Sequence, residues 1–480
     1  MEKLQNFING EYCAPINGAY IDNYEPATGN VYSLIPNSDE KDVALAVESA
    51  EKAFPIWSAM SNEERSEILI KLSDGIKNRM DEFVAAESRD NGKPLSLAAH
   101  VDIPRAISNF YFFATAITHF ASESHYMVGE GVNYTLRKPI GIVGCISPWN
   151  LPLYLFSWKI APALAAGNCV IAKPSEITPY TAYLLGKVAQ EAGMPNGVLN
   201  ILHGLGSSVG DAIVKHPKIK AISFTGGTKT GEYIAQTAAP MFKKLSLELG
   251  GKNPNIIFAD CDFDEMLKTT LRSSFANQGQ ICLCGSRIFV ERPLYEKFKT
   301  AFVAKVAKTT VSNPTDPKAI LGAVVSKPHM EKVLSYVQLA KEEGGTILTG
   351  GEQVHLEAPY NNGYYLRPTV IEGLAYDCRT NQEEIFGPVV TITPFDTEEE
   401  VLMMANSTEY GLAATLWTSD LKRAHRMADK IDAGIVWVNA WLVRDLRTPF
   451  GGMKASGVGR EGGEEALRFF TEPKNVYIAY

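Results

Sequence analysis

Pro139-Ile140-Gly141-Ile142-Val143-Gly144-Cys145-Ile146-Ser147-Pro148 is a short apolar run with a proline near each end and no charge between them. A run without polar alternation is expected of a strand covered on both faces, and such strands belong to parallel sheets flanked by helices. Similar runs follow at Cys169–Ala172, Val198–Leu202, Ile219–Phe224 and Lys244–Leu249, with helix-length segments between most of them. That alternation predicts right-handed βαβ units and an α/β fold. Ligands of such sheets bind beyond the carboxyl ends of the strands. Asn150, Lys173, Gly226 and Glu248 stand at those ends.

Upstream, residues 1–37 read as short strands and turns, with Asn9-Gly10 a candidate tight turn. Val43, Val47, Ala50 and Phe54 repeat at helical spacing, and Ser38 is placed to cap their start. Ser61-Asn62-Glu63-Glu64 reads as a capping box that opens a second helix with Ile68, Leu72 and Ile76 on one face. Segment 121–138 fits neither a helix nor the βαβ pattern and is expected to form a β-hairpin. From about residue 250 a second α/β unit is expected: helix 262–277, strand Arg287–Val290, helices near 294–307 and 327–343, and strands ending at Val438.

Bulk numbers narrow the class. A chain of 480 residues is too long for one hydrophobic core and predicts two or three domains. A net charge of −8 and a pI near 5.6 argue against nucleic acid or an anionic membrane as partner. The seven cysteines are odd in number and form no CxxC pair, which fits a reducing compartment. Cys282-Leu283-Cys284 has no histidine cluster nearby, so no metal site is expected. The amino terminus shows no basic-then-apolar signal, and no apolar run reaches membrane-spanning length. The chain is expected to be cytoplasmic.

Phe275-Ala276-Asn277-Gln278-Gly279-Gln280-Ile281-Cys282 reads as the end of an amphipathic helix running into a glycine-broken loop that presents one thiol. Its plain alternative is a small apolar core residue. Asn277, Gln278 and Gln280 are unusual neighbours for that role. Leu247-Glu248-Leu249-Gly250-Gly251-Lys252-Asn253 supplies a carboxylate at a strand end, and a nucleophile and a base on separate loops is the pairing covalent catalysis requires.

Together these stretches resemble the active-site signature of the aldehyde dehydrogenase superfamily. PWNLP at 148–152, AKPSE at 172–176, FTGGTKTG at 224–231, EEIFGP at 383–388 and PFGGMKASGVGRE at 449–461 extend the likeness, in the family's order, over essentially the whole chain. The resemblance implies a Rossmann-type NAD-binding domain over 1–120 and 139–249 and a catalytic domain over 250–440. It also implies an oligomerisation element of 121–138 with 465–480, and a return segment over 441–464. A homodimer or homotetramer is implied with it.

It further implies that Cys282 is the nucleophile, Asn150 an oxyanion donor beside the Cys282 N–H, and Glu248 the base that activates water. The plain readings of the last two are a turn residue between prolines and a solvated carboxylate. For the cofactor, NAD, the resemblance points to Ser147, Trp149, Lys173, Glu176, Gly226, Gly227, Gly231, Glu384 and Phe386. Lys173 and Glu176 read plainly as an exposed ion pair, and Phe386 as core packing. The family usually has serine at the position of Gly227. Gly204-Leu205-Gly206-Ser207-Ser208-Val209-Gly210 looks like a dinucleotide fingerprint with one extra residue, and the resemblance passes it over for 224–231. None of the eight histidines falls in a motif.

Arg105 and Arg444 lie where general aldehyde oxidisers of the family carry apolar residues. WLVRDLRTPFGG is similar to the 2-aminomuconic and 2-hydroxymuconic semialdehyde dehydrogenases, whose substrates carry a carboxylate. Leu151 and Trp158 are expected to line the same tunnel. The plain reading makes both arginines surface ion-pair partners of Asp102 and Asp445. The implied activity is NAD-dependent, non-acylating oxidation of a small aldehyde. The alternatives are a broad aliphatic or betaine-type aldehyde oxidiser and a non-catalytic relative of the crystallin kind.

Overall fold

The computed structural model describes all 480 residues, Met1–Tyr480. Five parallel strands form the centre of the first sheet, in the spatial order Lys244–Glu248, Ile219–Thr225, Ile142–Ile146, Cys169–Lys173, Leu199–Ile201. The chain winds outward one way from Ile142–Ile146 and then, after Leu199–Ile201, crosses back and winds the other way. Order therefore reverses between Ile142–Ile146 and Ile219–Thr225, and in a doubly wound sheet the crevice opens beyond that switch point. Ser147 and Gly226 stand at its two lips.

Both edges of this sheet are closed by antiparallel strands. The hairpin Asn6–Ile8 and Glu11–Cys13 joins at Ile201↔Phe7, turning through Asn9 (φ 54°) and Gly10 (φ 78°) as expected of Asn-Gly. Gly457–Val458 pairs with Leu247–Glu248 and so brings the return segment onto the strand that ends in Glu248. The helix Glu40–Ala59 is capped by Asp39 rather than Ser38: Asp39 and Asp42 make a reciprocal box, while Ser38 is buried and accepts from Asn6 Nδ2 at 2.8 Å. Ser61 and Glu64 cap Asn62–Asn78 as the sequence suggests.

The second sheet runs in the order Thr346–Thr349, Thr369–Glu372, Val389–Phe395, Arg287–Glu291, Pro254–Ile257, Ala413–Trp417, Ile435–Val438, parallel except for the first strand. Helices Phe263–Phe275, Arg292–Ala307 and Lys327–Glu342 belong to the same unit. A third, small sheet pairs Gly131–Pro139 with Ser124–Met127 on one side and Thr471–Ala479 on the other. Tyr126 and Ile478 of this sheet, and Val128 in the turn of its hairpin, are exposed. No helix is long and apolar enough to cross a membrane.

Candidate functional site

Helix Phe263–Phe275 breaks into a turn, Ala276–Gly279, in which Asn277 (φ 52°), Gln278 (φ 58°) and Gly279 (φ 70°) are all left-handed. Two non-glycine residues there cost about 1–2 kcal/mol each, so the surroundings must hold them. They do so through the amide side chains. Asn277 Nδ2 donates to the main-chain oxygen of Asn150 (2.8 Å) and Gln278 Nε2 to that of Ala323 (2.7 Å). Gln280 Oε1 accepts from Val325 N (3.0 Å). A Cβ on Gly279 would stand 2.2 Å from the Gly387 oxygen, so the FGP turn packs directly on this loop. The polar neighbours of Cys282 are thus the staples of a strained loop. Asn253 Nδ2 fixes its far end, donating to the oxygens of Cys282 (2.6 Å) and Cys284 (3.0 Å).

Cys282 is half-buried and lines a cavity, whereas Cys284 is buried. Burial, then the charges of Glu248 and Glu384, push the Cys282 thiol above its ordinary range, opposed by Arg444. Asn150 Nδ2 donates to the Gln280 oxygen at 3.0 Å, which commits one of its two amide hydrogens. The paired glycines of 250–251 have separate reasons. A Cβ on Gly250 would meet Glu384 Oε2 at 2.5 Å, and one on Gly251 would meet the Cys282 oxygen at 2.9 Å.

Glu248 is buried, and its Oε1 makes no hydrogen bond. Burial and then Glu461 raise its carboxyl well above the usual range, against Lys159, Arg444 and Arg460. Lys159 Nζ is 2.7 Å from Glu461 Oε1, and Ser223 Oγ donates to the same oxygen at 3.1 Å. Lys159 and Glu461 were not among the residues singled out in the sequence. They lie 302 positions apart, and only the pairing of the return segment with Leu247–Glu248 brings them together.

Two cavities meet at Pro148, Trp149, Thr225, Gly226 and Gly227. The outer one, of about 300 Å³, is lined by Ser147, Lys173, Glu176 and Thr230; the inner one, of about 270 Å³, reaches Asn150, Glu384, Phe386 and Cys282. Glu176 Oε2 is 2.9 Å from Lys173 Nζ. Burial opposes ionisation of Glu176, but Lys173 and the main chain of Gly206 hold its carboxyl below the usual range. Gly227 caps helix Thr228–Ala238 without a side-chain bond, leaving the first amides free.

The cavity linings depart from the motif assignments in three places. Gly231 lines neither cavity, because its Cα faces Leu249, 2.5 Å from where a Cβ would sit. Gly206 and Gly210, in the stretch passed over, do line the outer cavity. His329 also lines the inner one, edge-on to Trp149 with ring centroids 5.0 Å apart and Nε2 2.7 Å from the Phe386 oxygen. Burial lowers the His329 imidazole to about 4, so it is neutral at pH 7.

A third cavity, of about 920 Å³, lies on the other side of the thiol loop, with Ala276 and Ile281 in its wall. Arg105 and Arg444 both line it. Neither is paired with an acid. Asp102 is taken by Lys93 (2.9 Å) and Asp445 by Arg447 (2.6 Å). Tyr154 joins the two arginines: Arg444 Nη1 donates to its hydroxyl at 3.1 Å, and the Arg105 guanidinium lies 5.7 Å from its ring centroid. Leu151 and Trp158 do not line this cavity, contrary to expectation. Trp158 is buried behind it, with the Arg444 guanidinium 4.8 Å from its ring. Leu151 packs with Tyr154 and Leu155.

The model of the aldehyde dehydrogenase family matches residues 14–476. A 2-aminomuconic semialdehyde dehydrogenase of Mus musculus is 53% identical over 99% of this chain and 98% of its own. A 2-hydroxymuconic semialdehyde dehydrogenase of a Pseudomonas species is 48% identical over the whole of both chains. The NAD⁺ complex of an aldehyde dehydrogenase from Bacillus cereus superposes with a TM-score of 0.97 at 40% identity, covering 100% of this chain and 97% of that one.

Proposed function

The chain belongs to the aldehyde dehydrogenase family, and we propose that it oxidises a carboxylate-bearing semialdehyde of the 2-aminomuconic or 2-hydroxymuconic type with NAD⁺. The observation that carries this reading is the pair of arginines without acidic partners in one cavity. Both are half-buried, and two unanswered positive charges in one cavity favour an anionic ligand group; a substrate carboxylate fits in the planar geometry that guanidinium groups favour. Betaine aldehyde, a cation, would meet like charge there. The names of the similar proteins support the same class.

In this reading the Cys282 thiol loses its proton to solvent in the cavity it lines, and the thiolate sulfur attacks the carbonyl carbon. The free amide hydrogen of Asn150 and the Cys282 N–H face the oxyanion. NAD⁺, when bound, supplies the hydride acceptor. The unbonded hydroxyls of Ser147 and Thr225 and the open first amides of Thr228–Ala238 suit its polar groups. Lys173 and Glu176 would hold the adenosine ribose, Glu384 and Phe386 the nicotinamide side. The acyl group left on Cys282 is released by water that Glu248 deprotonates, so the enzyme is non-acylating. The exposed residues of the small sheet support a homodimer or homotetramer built on it, and we place the enzyme in the cytoplasm.

Arg444→Ala and Arg105→Ala should each lower kcat/KM for a muconic-type semialdehyde about ten- to a hundredfold, the worth of a charge-assisted contact. A small neutral aldehyde should be little affected. Comparing the two substrates on each variant is the test of this function, and equal losses on both would make the arginines structural.

NAD⁺ should be preferred over NADP⁺, because a 2′-phosphate would meet the ionised Glu176. Glu176→Gln should narrow that preference by about tenfold, measured as the ratio of kcat/KM for the two cofactors. A wild-type ratio near one contradicts the assignment.

A further inference from the structure

Beneath the turn that carries Asn150 lies a charged cluster with no contact to either the inner or the third cavity. Lys93, Asp102 and Glu87 are each fully buried. Lys93 Nζ is 2.9 Å from Asp102 Oδ1, 3.2 Å from the main-chain oxygen of Asn150 and 4.0 Å from Glu87 Oε1. Glu87 in turn accepts from Leu153 N through both oxygens, at 3.3 and 3.4 Å. The cluster therefore grips the 148–152 turn at both ends, one carbonyl before Leu151 and one amide after Pro152. Asn91 Nδ2 adds contacts to the oxygens of Trp149 (2.9 Å) and Asn150 (3.3 Å).

We infer that Lys93 is a positioning residue for Asn150: its ammonium fixes the Asn150 main chain so that the amide side chain is aimed at the reacting carbonyl, and ties that turn to the helix bearing Arg105. The tie runs through Asp102, which immediately precedes helix Ile103–Thr118. The inference rests on the reading of Asn150 as the oxyanion donor. A neutral donor could hold one carbonyl. An ammonium buried between two carboxyls reaches the turn and the helix together, and charge-assisted bonds are the stronger ones. Burial, against the attraction of Lys93, lifts the Glu87 carboxyl above its ordinary range. The second oxygen of Asp102 has no partner, which leaves Lys93 its main anchor.

The test is a cycle of variants measured as kcat per Cys282 titrated by alkylation, with NAD⁺ affinity followed by fluorescence. Lys93→Met, or Lys93→Met with Asp102→Asn where the single change leaves Asp102 unpaired and the protein unfolded, should lower kcat about ten- to a hundredfold with unchanged NAD⁺ affinity. In an Asn150→Ala background the same changes should lower it by less than about threefold, because the residue they act through is gone. Equal losses in both backgrounds, an undiminished kcat, or failure of both Lys93 variants to fold would overturn the inference and make the lysine structural. Full kcat in Asn150→Ala alone would instead refute the reading of Asn150.

Discussion

Cys282→Ala is expected to lower aldehyde-dependent NADH formation by at least about four orders of magnitude, since no second group can carry the covalent step. The neighbouring thiol is the natural objection, and the geometry answers it. Cys284 is buried, away from all three cavities. Cys282 alone opens into the cavity shared with Asn150, Glu384 and Phe386. Cys284→Ala should therefore cost some stability through lost packing, with turnover within about threefold of wild type. NAD⁺ binding should survive in both variants, because the loop is held by Asn277, Gln278 and Gln280 and not by the thiol. Steady-state absorbance at 340 nm with fluorescence titration of NAD⁺ decides the matter. Comparable losses from the two substitutions would remove the assignment.

The strands were legible because a strand covered on both faces must be apolar throughout, and five such runs fall at regular intervals between 142 and 248. The thiol loop was legible as a motif, but the reason for its amides was not. Asn277, Gln278 and Gln280 act on Asn150, Ala323 and Val325, and no local pattern reports bonds across so many residues. Adjacency also misled. Asp102 and Asp445 sit beside Arg105 and Arg444 in sequence, yet Asp102 points inward to a buried lysine, and Asp445 folds onto Arg447 two residues later. His329 escaped notice because its place depends on the Phe386 oxygen, 57 positions away. Gly231 illustrates the opposite error: a glycine in a cofactor-like motif that is small because Leu249 packs against it.

Glu248→Gln should separate two halves of the reaction that wild-type turnover joins. Glutamine keeps the shape of the side chain beside Gly451, where a Cβ would stand 2.8 Å from Glu248 Oε1, so the local packing should be preserved. What is lost is an acceptor for a proton. Steady-state turnover should then fall about a hundred- to ten-thousandfold, the usual worth of a positioned base. Attack by Cys282 and the first reduction of cofactor do not use that base. One equivalent of NADH per site should still form in a burst, and the acyl group should remain on Cys282, visible as added mass on the intact protein. The pH dependence follows from the raised carboxyl. Burial and the nearby Glu461 keep Glu248 protonated to a higher pH than an ordinary glutamate, so acyl release in the wild type should rise as pH rises through that range and the base is formed. The glutamine variant should lack this limb and climb only when hydroxide itself attacks. A variant that shows no burst while its Cys282 alkylates at the normal rate would place Glu248 before reduction of the cofactor, in activating the thiol, and the raised carboxyl would then have to be read as the acceptor of the Cys282 proton.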